Sequence, residues 1–148
     1  MALFLMASMA GCSGGDFAHQ FHGVEVDVPL DEALKTHQVS LPEKSRDIHY
    51  SANSKLEGYP FLLTFEIPCR VRDEFLGSNH LRVSTEDRLK GSSAAMEASR
   101  EGLPPGSRTA WFRRAGADGR SEFEAIVASD GAGSACQVWA NSMREDPS

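Results

Sequence analysis

Few residues in this 148-residue chain have the types and spacing that could do chemistry. Five histidines stand at His19, His22, His37, His49 and His80, and imidazoles are the side chains that hold metals or move protons near neutral pH. His19 and His22 are three apart, which brings them together only on a helix, and Gly23 followed by strand-like text argues against one. His49 lies two residues from Asp47, on the polar side of a strand. A small exported hydrolase or metal-dependent enzyme would have to be built from these histidines and Asp47. No ligand spacing singles out a set, so no metal and no cofactor is assigned. Gly11-Cys12-Ser13-Gly14-Gly15 spells the G-x-S-x-G of a hydrolase elbow, but neither the strand before it nor the helix after it is present. "DGAGS" at 130–134 lacks the lysine and helix start of a phosphate loop and reads as a turn. The acid pairs Asp73-Glu74 and Glu86-Asp87 sit on ordinary polar faces, and no catalytic residue is assigned. The remaining candidate is a basic hairpin. Arg113, Arg114 and Arg120 flank Asp118-Gly119 beside Trp111 and Phe112, and such a tip can touch lipid headgroups or an acidic partner. The competing reading is a charged strand end that discourages edge pairing.

The elements that must position these groups are legible as periodicities. In "FHGVEVDVPL" Val24, Val26 and Val28 alternate with Glu25 and Asp27, which predicts a half-buried strand ended by Pro29. "DEALKTH" predicts a short helical turn with Asp31 and Glu32 at its positive end. Ile48, Tyr50 and Ala52 alternate against Asp47, His49 and Ser51, a second strand. "YPFLLTFEIPC" is the strongest, with Phe61, Leu63, Phe65 and Ile67 sharing one face. Pro68 stops it and opens a short amphipathic helix that lays Val71, Phe75 and Leu76 on the sheet, with Gly77 as its terminator. From Ser84 to Ser107 the text turns polar and small. It holds one brief helix capped by Thr85 and a connector at 103–106, and is expected to be the most mobile part of the domain. "TAWFRR", "SEFEAIVAS" and "ACQVWANSM", joined by Asp-Gly turns, predict three adjacent antiparallel strands. The predicted fold class is α+β, an antiparallel sheet with a short amphipathic helix packed on one face and a C-terminal three-strand meander.

Size and charge bound the function. The chain is long enough to bury one core. Its 41% hydrophobic and 24% charged residues are those of a globular protein, and a net charge of −6 opposes nucleic-acid phosphates. No apolar run approaches the roughly 18–20 residues of a spanning helix.

The first residues answer the question of location. From Ala2 to Gly11 there is no charge. Bulky Leu3, Phe4, Leu5 and Met6 give way to small Ala7, Ser8, Ala10 and Gly11, the layout of an export signal. With Met9-Ala10-Gly11-Cys12 the segment resembles a bacterial lipoprotein signal, Met9 standing where leucine is usual. The resemblance implies cleavage between Gly11 and Cys12 and a diacylglyceryl group on the Cys12 thiol. Two or three acyl chains, at about 0.8 kcal/mol per buried methylene, anchor a protein stably. The missing basic n-region predicts a start codon upstream of Met1. Residues 1–11 are then signal, 12–20 a lipidated cysteine and flexible tether, 21–143 a single α+β domain and 144–148 a polar tail. On the outer face of the membrane, Cys69 and Cys136 are an even pair in an oxidising compartment, which reads as a disulfide.

The order of a lipobox, "LPEKSRDIHY", "PFLLTFEIP" and "RDEFL", with Pro42, Phe61, Leu63, Phe65, Phe75 and Leu76 at its marked places, resembles small actinobacterial lipoproteins of unassigned function. That likeness implies envelope localisation and carries no catalytic residue. The expectation is a lipid-anchored extracytoplasmic binding or accessory domain, non-enzymatic, held to the membrane through Cys12. Its partner would be an envelope protein or a small ligand. The alternatives are the small enzyme above and a structural subunit that docks on a membrane complex through the Arg-rich hairpin.

Overall fold

The computed structural model describes residues 19–20, 27–84, 102, 106–114 and 122–144. They form a seven-stranded sheet in the order β1-β2-β3-β7-β6-β5-β4. The strands are β1 (His19–Gln20), β2 (Arg46–Ala52), β3 (Phe61–Pro68), β4 (Arg82–Val83), β5 (Arg108–Arg114), β6 (Glu122–Ser129) and β7 (Ala135–Met143). Every pairing is antiparallel except the short β1, which runs parallel to β2. Helix α1 (Leu30–His37) precedes β2, and a 3-10 turn (Cys69–Val71) leads from β3 into α2 (Arg72–Ser78). The α+β class and the C-terminal meander β5-β6-β7 are as expected.

One face of the sheet is the main core. Its rows run across the strands in register: Ala52, Phe61, Ser142, Phe123 and Arg114; then Tyr50, Leu63, Ala140, Ala125 and Phe112. Phe61, Leu63, Phe65 and Ile67, which share this face of β3, are each at most 1% exposed, as their alternation requires. Both helices cover this face. Ala33 of α1 and Phe75 of α2 are fully buried in the same cluster, with Leu30, Leu34 and Leu76 packed at its margin. The rings of Phe65 and Phe123 each meet Phe75 edge to face, at 5.3 and 6.4 Å. The opposite face carries a smaller buried group of Ile126, Ala128 and Trp139 with Trp111 against it.

Several local expectations change. Val28 is buried but lies in a bend, because Pro29 already starts α1 with its carbonyl accepting from the Ala33 N–H. Val24 and Val26 lie outside the described residues, as do Thr85 with its helix, most of the connector and the turn at 117–119. His19 and Gln20, assigned to the tether, hydrogen-bond into the sheet beside His49 and Tyr50. Gly77 does not end α2. It sits inside the helix, and the left-handed residue is His80, φ 55°. The His80 and Leu81 N–H groups return to the Gly77 and Leu76 carbonyls, a Schellman ending. Helix α1 ends the same way, with Gln38 at φ 54° and Val39 N–H bonded to the Leu34 carbonyl. The trailing apolar residues Val39 and Leu81 are what select these ends. Both are buried, and burying them outweighs the roughly 1 kcal/mol strain of a left-handed non-glycine residue.

Candidate functional site

Among the described residues, a cleft of about 250 Å³ lies on the face of the sheet opposite α1 and α2. It is lined by Glu66 of β3, Gln137 and Trp139 of β7, Ala128 of β6 and Asp130 of the β6–β7 turn, with Gly102 and Ser107 on the side of the β4–β5 connection. Strand alternation builds it. Glu66, Gln137 and Ala128 are in register on neighbouring strands, and Trp139 stands one pleat further along β7. The floor is indole and methyl; the rim is carboxylate, amide and hydroxyl. Glu66 is held by Arg46, Nη2 to Oε1 2.6 Å, an ion pair at the surface. The Asp130 carboxylate accepts from the Ser134 N–H and hydroxyl, each at 2.8 Å, and these bonds hold it below the usual carboxylate range. The cleft therefore presents a small apolar floor inside a hydrogen-bonding rim and is open to solvent on one side.

The predicted basic tip is arranged differently from its sequence reading. Alternation along β5 sends Trp111 and Arg113 to the face opposite α1 and α2, and Phe112 and Arg114 into the core. Arg113 is bonded to Glu122, with Glu124 at 4.0 Å. Burial, with Glu122 beside it, pushes the Glu124 carboxyl up, against the opposing pull of Arg113 and Asn141. Arg114 is 5% exposed. Its Nη2 donates to the His37 carbonyl at 2.8 Å, and Nη1 donates to those of Gln38 at 2.9 Å and Asn79 at 3.3 Å. The guanidinium carbon stands 5.4 Å from the Phe123 ring centre. One cation thus binds the carbonyl ends of both helices, where their dipoles are negative. The Asn79 amide completes the junction, accepting from the Ser40 N–H and donating to the Ser40 carbonyl, both at 2.8 Å. Arg120 lies outside the described residues.

The histidines are not brought together. His37 is buried on the core side, His49 projects to the opposite face of β2 and His80 is exposed at the end of α2. His22 lies outside the described residues, and only the backbone of His19 is described. Among the described residues no group of three His, Cys, Asp or Glu side chains is placed to hold a metal ion. Asp47 is exposed in a bulge with φ 48°.

A Ser-His contact that sequence reading missed joins residues 105 apart. His37 Nδ1 is 2.9 Å from the Ser142 hydroxyl, which itself donates to the Glu122 carbonyl at 2.9 Å. Nδ1 therefore carries the hydrogen. With the two residues at 0% and 1% exposure, no substrate reaches the pair. No local sequence signal marks it.

The sulfurs of Cys69 and Cys136 lie at disulfide distance, 2.09 Å, with Cα atoms 5.0 Å apart. Cys136 is opposite Ile67 on β3, and the Cys69 N–H bonds the Ser134 carbonyl, so the pair sits across the β3–β7 junction. Gly11 and Cys12 lie outside the described residues. Among the described residues no helix is long and apolar enough to cross a membrane. Comparisons with protein-family models, curated proteins and solved structures find no match to this chain.

Proposed function

We propose that this chain is an extracytoplasmic envelope lipoprotein, anchored through lipid on Cys12, whose domain binds a small ligand or a partner protein and performs no catalysis of its own. The observation that carries the reading is the Cys69–Cys136 pair at bonding distance. A stabilising bridge from the turn after β3 to the central strand β7 is expected of an exported domain and is rare in the reducing cytosol. The Met9-Ala10-Gly11-Cys12 motif supports the anchor, and the cleft over Trp139 supports the binding role. The buried Arg114 and the paired Arg113 count against docking through a free basic hairpin.

The test is metabolic labelling with a palmitate analogue, comparing wild type with Cys12→Ala. Label and membrane fractionation in the wild type, both lost in the variant, are expected. A native polypeptide whose intact mass retains residues 1–11 and no acyl group overturns the reading. Non-reducing peptide mapping should find Cys69 and Cys136 joined; free thiols in freshly isolated native protein would remove the argument for export.

A further inference from the structure

The end of α1 holds a buried titratable group that the binding reading does not use. His37 is 0% exposed, and its ring packs edge-on to Tyr59 at 4.8 Å and tilted against Phe61 at 5.2 Å. Its Nδ1 hydrogen bond to Ser142 ties the last turn of α1 to β7 and, through the Ser142 hydroxyl, to the Glu122 carbonyl of β6. We propose that His37 is an acid-sensitive latch, and that its protonation releases α1 from the sheet while the sheet itself stays folded.

The groups around His37 decide what a proton there would do. A histidine at a helix C-terminus is ordinarily favoured in its charged form, because the last carbonyls are negative. Here Arg114 already occupies the carbonyls of His37 itself and of Gln38. The attraction that would have welcomed an imidazolium is spent on a guanidinium. Arg144, just beyond β7, adds a second positive charge. From the β2–β3 loop comes the Tyr59 phenol, which burial holds in its neutral form, with Glu32 and Asp27 acting in the same sense. The Tyr59 backbone favours the charged ring but is outweighed. Burial first, then Arg144 and Arg114, lower the His37 pKa from 6.5 to about 4.

Relief is local because α1 is the separable part. It is eight residues long, precedes the sheet strands it covers, and only Ala33 and His37 of its side chains are fully enclosed. The sheet beneath is tied by the β2-β3-β7-β6-β5 ladders and the Cys69–Cys136 pair. Swinging the last turn outward hydrates the imidazolium and moves it away from both arginines. An unfolded or released segment, whose histidine titrates near 6.5, binds a proton that the closed form refuses until about 4. Closure is therefore complete above about pH 6.5 and weakens as the pH falls toward 4, by up to about tenfold per pH unit.

Amide hydrogen exchange on the full chain, read by NMR from pH 7.5 to 4, tests this. The expected result is a loss of protection in α1 of about tenfold per pH unit below 6.5, while β3 and β7 amides keep theirs. In His37→Gln, which retains a hydrogen-bonding side chain but does not titrate there, α1 protection should be flat with pH. If that variant does not fold, the His37 ring resonance of the wild type reports directly. Its midpoint should coincide with the opening of α1. Simultaneous loss of α1, β3 and β7 protection would reduce the effect to global acid unfolding and overturn the latch. So would a His37 ring that titrates near 6.5 while α1 stays closed.

Discussion

Arg113 and Arg114 are chemically identical neighbours with opposite fates, and the difference is one step of strand pleat. Arg113 points to the face opposite α1 and α2, where its ion pairs with Glu122 and Glu124 are partly hydrated. Pairs of that kind contribute about 0.2–1 kcal/mol. Arg114 is buried, and removing it strands three helix-end carbonyls away from water. We expect Arg114→Ala to destabilise the protein by about 3 kcal/mol or more, and Arg113→Ala by less than about 1 kcal/mol. Urea melts of the two variants beside wild type check both. Equal losses would mean that the junction at the helix ends does not hold them.

At the scale of elements, the two helices share one design. Each is under nine residues, too short to persist in water alone, and each is secured at its C-terminal end rather than by a side-chain N-cap. Their left-handed residues, Gln38 and His80, are exposed and are not glycine. His80→Gly should therefore stabilise the fold by roughly 0.5–1 kcal/mol, the relieved strain exceeding the added freedom of the unfolded chain. Gly77 behaves oppositely to its sequence reading. It is helical, and an added Cβ meets nothing within 4 Å. Gly77→Ala should raise stability by about 0.5–1 kcal/mol, measured as an increased denaturation midpoint at unchanged m-value. A loss on this substitution would restore glycine as the helix terminator.

For the whole molecule, the decisive feature is that the last strand lies at the centre. β7 pairs with β3 on one side and β6 on the other, so the C-terminal strand closes the sheet. The Cys69–Cys136 pair spans 67 residues at that closure. Its loop predicts that Cys69→Ser with Cys136→Ser costs about 4 kcal/mol, with the loss read in chemical denaturation of oxidised wild type against the variant. A change below about 1 kcal/mol would show that the strand ladder alone sets the closure.

Period-two alternation determined β2, β3 and the three C-terminal strands from the sequence, together with the inward faces of β3 and β6, because burying every second residue leaves a local signature. The same rule, applied to "WFRR", already places Arg114 on the side of Phe112; the cluster of like charges obscured it. The Met9-Ala10-Gly11-Cys12 stretch, on which the proposed anchor rests, and the cysteine parity are likewise properties of residue order. Tertiary structure alone decided that β7 inserts beside β3, that His37 meets Ser142 across 105 positions, that one guanidinium serves two helix ends, and that Glu66, Gln137 and Trp139 frame a cleft. These are contacts between segments that carry no mark of one another. Strand order and helix docking are chosen by total burial and by satisfying every enclosed polar group at once, and neither quantity exists for a segment on its own.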